Sequence, residues 1–350
     1  MISQEITDVL MAPVAILLEP KNAQSIYYQF TALVIAIGAY FYTRKKTDKL
    51  QSVGLIGWLL PKDILTHPSA MTDYGYFIVS QMLAASIYGS IIISSAAWEQ
   101  GAAGLLTSVF GPAGVGVGSS HWITLICTLL LLIVIDAAVW WAHYMFHVVP
   151  FLWEFHKVHH SAEVMTPITA LRMHPVEQLA DALVVGLVTG VVIAIIRYSF
   201  GSGAMFFSVF EINLFTAGFF VIGHNLRHSH VWIRYPYWLQ HILICPAQHQ
   251  IHHSRSPRHW DKNMGIVFSF WDWAAGTLYA PKHYEQLEYG LGTQEDGTWR
   301  GVGTLMFRPF RQSFQVLARQ WAERAKRPGK PERAAPPDAE RQPLVRTEGE

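Results

Sequence analysis

The chain has 350 residues, of which 51% are hydrophobic and 15% are charged, and it contains 13 tryptophans. Soluble domains carry about 25% charged residues, so the low charge and the many tryptophans favour an integral membrane protein. The formal net charge of +1 argues against a nucleic-acid-binding protein, because such proteins present a strongly basic surface.

The first 120 residues are predicted to form N-terminal membrane segments. Residues 1–20 contain acidic residues but no basic stretch before their apolar run, so they do not resemble a signal peptide. Two apolar stretches, residues 27–43 and 74–98, have about the length that a membrane-spanning helix needs. We therefore expect two spans in the region 1–120.

Residues 121–284 are predicted to form a second domain, which also carries the four histidine motifs described below and is therefore the candidate catalytic domain. Three more apolar stretches lie in it, at 121–141, 179–200 and 202–223. The last two are almost contiguous, which predicts a tight helical hairpin. The predicted fold class is therefore all-α: an integral-membrane bundle of about five spans with a cytosolic helical cap.

Residues 285–350 are predicted to form a polar C-terminal tail. Its end, residues 328–350, is rich in proline, arginine, glutamate and alanine. Segments of this composition bury too little apolar surface to fold, so we expect the end of the tail to be disordered.

The basic residues predict the orientation of the chain in the membrane. Residues 44–49 read RKKTDK, whereas residues 99–120 contain no lysine or arginine. Because basic loops stay in the cytoplasm, residues 44–73 are predicted to be cytoplasmic and residues 99–120 to lie outside. Counting five spans then places the ends of the third and fifth spans, and all that follows, in the cytoplasm.

Four histidine motifs follow these predicted helix ends. They read HYMFH from residue 143, HKVHH from 156, HNLRH from 224 and QHQIHH from 248. Residues three and four apart share one face of a helix, so each motif directs its imidazoles the same way. Ten imidazoles exceed what one ion can bind, which predicts two metal ions. The candidate ligands are His143, His147, His156, His159, His160, His224, His228, His249, His252 and His253.

The donor types narrow the choice of metal. The two cysteines, Cys127 and Cys245, lie in no CxxC motif, which disfavours structural zinc. Imidazole suits zinc, copper, iron and nickel, and these helices lack the glutamate-rich motifs of carboxylate-bridged di-iron proteins. A site beside lipid favours the oxidation of a hydrocarbon by iron and dioxygen over hydrolysis of a polar substrate.

Other polar residues are candidates for orienting the ligands or lining a pocket. Asp136 lies seven residues before His143, two turns along the same helix face, so its carboxylate is predicted to hold a ligand from behind. The further candidates are His174, Glu177, His230, Asp261 and Asn263.

Residues 136–279 resemble the fatty acid hydroxylase/sterol desaturase superfamily of membrane di-iron enzymes. The resemblance lies in DAAVWWAHYMFH, HKVHHS, TALRMHPVE, RHSHVW, PAQHQIHHS, DKNMG and WDWAAGTLY. It implies two iron ions held by the ten histidines, dioxygen as co-substrate, a lipid substrate and an external electron donor such as a small redox protein with its reductase. In HNLRHSH, His228 could pair with His224 or with His230; the helical spacing favours His224.

The resemblance leaves the reaction open. Hydroxylation of a fatty acyl, sterol, carotenoid or ether lipid is our prediction, and desaturation on the same site is the alternative. A metal transporter is disfavoured because the histidines lie at helix ends rather than at the membrane midplane. A zinc hydrolase is disfavoured because no glutamate stands beside the ligands as in HExxH.

Overall fold

The computed structural model describes residues 2–45, 53–91, 94–113, 120–201 and 204–326. The regular secondary structure of these residues is helical apart from one short β-hairpin, with loops between the helices. The α-helices are α1 (Ile2–Leu18), α2 (Ile26–Arg44), α3 (Leu55–Leu59), α4 (Lys62–Leu65), α5 (Pro68–Ile91), α6 (Ser95–Phe110), α7 (His121–Val148), α8 (Pro150–His160), α9 (Pro175–Phe200), α10 (Leu214–Val221), α11 (Pro246–His252), α12 (Phe270–Ala275) and α13 (Val302–Lys326). The 3-10 helices are Pro167–Leu171, His224–His228, Leu239–His241 and Pro257–His259. The strands are β1 (Ser208–Val209) and β2 (Ile212–Asn213).

Three of the described helices are long and apolar enough to cross a membrane, namely α2, α7 and α9. They correspond to the spans predicted at 27–43, 121–141 and 179–200, and the all-α fold class is confirmed. Helix α7 continues beyond the predicted span to Val148, so it carries the first histidine motif on its last two turns.

The apolar stretch at 74–98 is not one helix. Helix α5 ends at Ile91, and α6 begins at Ser95 after Ser94, whose hydroxyl accepts the Ala97 N–H at 3.2 Å. Residues 99–110, predicted to be an external loop, are therefore helical. Helix α6 packs closely on α9 at Gly190, where an added Cβ would lie 2.4 Å from the Ser95 carbonyl oxygen.

The predicted fifth span at 202–223, and the tight helical hairpin with it, are wrong. Strands β1 and β2 pair through a turn in which Phe210 and Glu211 have positive φ angles of 50° and 67°. A new helix, α10, then begins after Asn213, whose side chain accepts the Phe215 N–H at 3.0 Å. Asparagine is a favoured residue at the start of a helix, so Asn213 both ends the hairpin and begins α10.

The segment that carries the third histidine motif is also irregular. His224–His228 is a 3-10 helix that follows Gly223, whose φ is +104°. The motif was expected to continue an α-helix from the fifth span. A 3-10 helix has three residues per turn, so residues four apart no longer share a face.

A buried ion pair fixes the end of α8. Arg172 donates to Asp73 of α5 at 2.6 Å, and both side chains are fully buried. The same guanidinium donates to the Val158 carbonyl at 2.9 Å and to the Ser161 hydroxyl at 2.7 Å. These bonds hold the helix that carries the second histidine motif against α5.

The C-terminal region contains more structure than its polar composition predicted. Helix α13 packs against α8, and Trp299 and Leu305 are buried with Val158 of α8 and Tyr76 of α5 in one cluster. The predicted disordered end, 328–350, lies outside the described residues, as do residues 46–49 of the basic segment.

Candidate metal centre

Nine of the ten candidate histidines lie in two adjacent groups. In each group one nitrogen from every ring lies within 4.8 Å of the others, which is the proximity that a shared metal ion requires. The five-histidine group consists of His143, His147, His156, His160 and His252. The four-histidine group consists of His159, His228, His249 and His253.

The nitrogens of the five-histidine group converge. His156 Nε2 lies 3.1 Å from Nε2 of both His143 and His160, and His160 Nε2 lies 3.1 Å from His252 Nε2. Nitrogens bound to one ion at about 2.1 Å lie about 3.0 to 3.4 Å apart, so these spacings suit a common ion. His147 Nε2 is buried and has no hydrogen-bond partner among the described residues, and a metal ion would satisfy it.

The four-histidine group has the same geometry. Nε2 of His228 lies 3.1 Å from those of His249 and His253, and 3.3 Å from that of His159. His249 and His253 are separated by 3.2 Å at the same atoms. All four residues are buried. A second ion therefore fits these nitrogens as the first fits the other group.

The two HxxHH motifs share their imidazoles between the groups in opposite ways. In α8, His156 and His160 join the five-histidine group and His159 joins the other. In the motif at the end of α11, the outer pair joins the four-histidine group and His252 joins the five-histidine group. Residues four apart nearly align on a helix while the residue between them points aside, so each motif reaches both groups.

Two carboxylates support the five-histidine group. His156 Nδ1 lies 2.6 Å from Glu177 Oε1, and both side chains are buried. His147 Nδ1 lies 3.3 Å from Asp261 Oδ1, although this aspartate side chain is 61% exposed. An Nδ1–H bond to a carboxylate fixes the ring and leaves Nε2 free to bind a metal.

Two backbone carbonyls support the same group. His143 Nδ1 donates to the Met264 carbonyl and His252 Nδ1 to the Lys262 carbonyl, each at 2.8 Å. Between them Asn263, with a φ of 57°, donates to the Gln248 carbonyl at 3.0 Å and accepts the N–H of Tyr279. Asn263 thus shapes the turn that presents both carbonyls.

Burial keeps the imidazoles neutral. It lowers the pKa of His252 and His228 well below the usual range, and that of His159 to about 3. Only a neutral imidazole has a lone pair to give to a metal, so the folded site presents its histidines in the protonation state that ligation needs.

Asp136 acts on the backbone rather than on a histidine ring. Its carboxylate accepts the N–H groups of Val267 at 2.9 Å and Phe268 at 3.1 Å, and the indole N–H of Trp271 at 3.1 Å. It therefore anchors the segment that follows Met264. The sequence predicted that Asp136 would support a histidine ligand, but the groups that bind its carboxylate lie more than a hundred residues away along the chain.

The third motif contributes one residue to the groups. His228 lies in the four-histidine group, whereas His224 packs against the rings of Phe219 and Phe220. His230 packs against Trp58, with 5.1 Å between the ring centroids. Neither of the pairs considered for this motif is brought together: the 3-10 turn separates His224 from His228, and His230 packs on Trp58 beyond the end of that turn.

His174 has a structural position. Its Nδ1 accepts the Val176 N–H at 3.1 Å at the start of α9, and its Nε2 donates to the Met306 carbonyl at 3.1 Å. Burial lowers its pKa to about 4. His174 thus connects α9 with α13 and lies outside both histidine groups.

A cavity of about 410 Å³ opens beside the five-histidine group. His147, His160 and His252 line it together with His253 of the other group. The remaining wall is mixed, with apolar surface from Trp153, Trp260 and Leu291 and polar side chains from Lys157, Arg255, Asp261 and Glu295. A small part of a larger substrate can reach the rings here.

The family model described as Fatty acid hydroxylase matches residues 128–277. Among curated relatives, alkylglycerol monooxygenases of Caenorhabditis elegans and Danio rerio are each 28% identical, over 158 and 176 residues. The human alkylglycerol monooxygenase is 29% identical over 190 residues. Residues 128–277 of the chain are thus similar to the fatty acid hydroxylase family.

These matches cover part of each protein. They include 44%, 47% and 54% of this chain, and 27%, 32% and 37% of the worm, fish and human relatives. The chain thus spans about a third of the length of the relatives that it matches. Comparison with solved structures gives no significant match.

The hydroxylase-family region contains both histidine groups and a carboxylate that the sequence did not single out. Asp272 accepts the N–H groups of Met264 and Gly265 at 2.9 and 2.8 Å, and its partners also include Thr277 and Trp140. It is fully buried in an otherwise apolar stretch. A lone acidic residue in such a context is the signal that could have identified it.

Proposed function

We propose that this chain is a membrane-bound di-iron monooxygenase that hydroxylates a C–H bond of a lipid. The observation that carries the proposal is the pair of adjacent all-imidazole groups at the end of an apolar helix long enough to cross a membrane. The match of residues 128–277 to the fatty acid hydroxylase family model supports the same reaction class.

The nine clustered histidines would hold the ions, five at one and four at the other. The described groups offer imidazole without thiolate, a donor set that iron accepts. When bound, an iron pair supplies the activation of dioxygen that attack on an unreactive C–H bond requires. His224 packs apart from both groups and is not included in this ligand set.

The protein side chains have three tasks in this proposal. Glu177 and Asp261 accept hydrogen bonds from the Nδ1–H groups of His156 and His147. The proton therefore stays on Nδ1, and Nε2 of each ring is free to bind the metal. The carbonyls of the turn around Asn263 do the same for two other rings. The walls of the cavity receive the reacting part of the lipid, and their apolar portion excludes water from it.

The proposed substrate class is an alkylglycerol or a related ether lipid. The support is the name shared by the curated relatives, alkylglycerol monooxygenase. An external electron donor, such as a small redox protein with its reductase, would supply the electrons that reduction of dioxygen consumes. We further propose that the centre faces the cytoplasm, since residues 44–49 are basic and 99–120 lack lysine and arginine.

The test uses the full chain purified anaerobically in lipid nanodiscs. We expect two irons per chain by metal analysis and, with dioxygen and a reductant, a hydroxylated product or its breakdown aldehyde from an alkylglycerol by mass spectrometry. A fatty acid and a sterol serve as comparison substrates. His252→Ala should be inactive, whereas His283→Ala, at an exposed histidine outside both groups, should behave as the native chain.

Three results would contradict the proposal in different ways. An alkene product would indicate a desaturase. Zinc retained after iron loading, without oxygen consumption under reduction, would indicate a hydrolase. Oxidation of a fatty acid or sterol but not of an alkylglycerol would retain the monooxygenase and exclude the proposed substrate class.

A further inference from the structure

Helix α13 leaves a continuous apolar face largely exposed among the described residues. Its large apolar side chains are spaced three and four residues apart, so they share one face of the helix. They are between 44% and 75% exposed: Phe307, Phe310, Phe314, Leu317 and Trp321. We call this set the aromatic row.

The opposite side of α13 fixes the helix to the protein. Leu305, Met306 and Ser313 are buried, and the helix packs against α8. The aromatic row is therefore not the core-facing stripe that an amphipathic helix normally buries. The helix has two apolar sides, one packed on the protein and one facing outward.

The position of α13 places the aromatic row near a membrane surface. The Phe310 ring lies 5.3 Å from that of Phe155 in α8, a helix that begins directly after the candidate span α7 ends. It also lies 5.1 Å from the ring of His174, at which the candidate span α9 begins. The middle of α13 thus lies beside the points where two such helices leave the apolar layer.

The charge of helix α13 indicates which kind of membrane surface it would contact. Helix α13 contains one acidic residue, Glu323, against five basic ones: Arg308, Arg311, Arg319, Arg324 and Lys326. Arg311 is exposed and adjoins the aromatic row on the helix. A helix with Phe, Leu and Trp on one face buries that face at the boundary between headgroups and acyl chains, and basic side chains beside it are attracted to anionic lipids.

We propose that α13 lies in the plane of the bilayer and inserts its aromatic row among anionic phospholipid headgroups, on the side of the metal centre. Helix α13 packs on α8, which carries histidines of both groups. Contact with the lipid surface therefore supports the helix on which the centre is built. The proposal depends on the membrane spans and not on the reaction that the centre performs.

The test reads lipid contact at one position of the full chain in nanodiscs. Phe314→Cys is labelled with an environment-sensitive fluorophore, since Cys127 and Cys245 are buried. We expect a spin-labelled phospholipid to quench the fluorophore strongly and aqueous iodide to quench it weakly. Gln315→Cys, exposed on an adjacent face of the same helix, is the matched control and should show the opposite preference.

Charge reversal tests the choice of lipid. In nanodiscs that contain phosphatidylserine, Arg311→Glu with Arg324→Glu, two exposed positions that flank the row, should reduce lipid quenching at position 314 several-fold, with little change in pure phosphatidylcholine. Metal content measured on each variant checks that the fold is retained.

Each remaining outcome overturns the proposal. Strong iodide quenching at position 314 would mean that the row faces water. Protection from both quenchers, with crosslinking between labelled chains, would assign the row to contact between two copies. Equal effects of charge reversal in both lipids would remove the role of anionic headgroups.

Discussion

The two histidine groups have similar nitrogen spacings but differ in how their rings are held. In the five-histidine group, His147, His160 and His252 line the cavity, and Glu177, Asp261 and two carbonyls accept hydrogen bonds from the outer nitrogens of four of its rings. In the four-histidine group, His253 lines the cavity and all four rings are buried. The outer nitrogen of His249 in this group has no hydrogen-bond partner among the described residues, so packing holds that ring.

This difference assigns different tasks to the two groups. The five-histidine group is the one that a substrate in the cavity reaches first. The four-histidine group lies behind it, with the His160 and His253 rings stacked at 4.5 Å between centroids. Substitutions that separate the groups will test this assignment.

The largest effect is expected from loss of a ligand. His160→Ala removes a ring that belongs to the five-histidine group and lines the cavity, and His249→Ala removes one from the enclosed group. Each should lower the hydroxylation rate by more than about 100-fold, since even residues behind the ligands contribute 10- to 100-fold. Metal analysis should find about one ion fewer in each variant. Native turnover by either variant would remove that histidine from the ligand set.

The next-largest effect is expected from loss of the buried Arg172–Asp73 ion pair, and it concerns both histidine groups. Arg172→Met leaves Asp73 charged and unpaired in the interior, a change that costs about 3 to 5 kcal/mol of folding free energy. Because Arg172 holds the end of α8, both ions should be lost at a lower temperature, measured as thermal metal release. The double variant Asp73→Leu/Arg172→Met should recover part of the loss. Release of one ion alone would argue against a common support.

A smaller effect is expected from the buried carboxylate. Glu177→Gln weakens the bond that fixes His156, so the metal affinity of the five-histidine group should fall about 10- to 100-fold. The ion of the four-histidine group should remain, giving one ion per chain under a chelator. Glu323→Gln, at an exposed glutamate outside both groups, is the control. Equal loss of both ions would contradict separate support of the two groups.

The smallest effect is expected from the exposed carboxylate. Asp261→Asn changes a partner of His147 that is largely exposed, and water can take its place at the ring. The hydroxylation rate should fall less than about 10-fold, below the lower limit for buried supporting residues. If Asp261→Asn lowered the hydroxylation rate as much as Glu177→Gln does, the exposure of the carboxylate would not determine how much its hydrogen bond contributes.

Strong local patterns made part of the fold and the site predictable. The spans at 27–43, 121–141 and 179–200 are long and apolar, and they appear as α2, α7 and α9. The HxxHH motifs needed only helical spacing to bring their rings together, and α8 and α11 supply it. In these segments sequence spacing translates directly into geometry.

The errors arose where distant contacts decide the local structure. Asn213 bonds to the Thr128 carbonyl of α7 at 2.8 Å, and the hairpin before it replaces the expected fifth span. Asp136 finds its partners in the segment after Met264, which no spacing on α7 could indicate. His224 and His228 were paired by α-helical spacing, but the chain forms a 3-10 turn there.

The α8 motif and the α11 motif divide their imidazoles in opposite ways, and this ties the two histidine groups to one another. Sliding either segment by one residue would bring Val158 or Ile251, both fully buried, toward positions that imidazoles occupy. Both groups would then lose donors at once. The spacing between the groups is thus set by a step within each motif, and an insertion or deletion inside either would dismantle both groups rather than one.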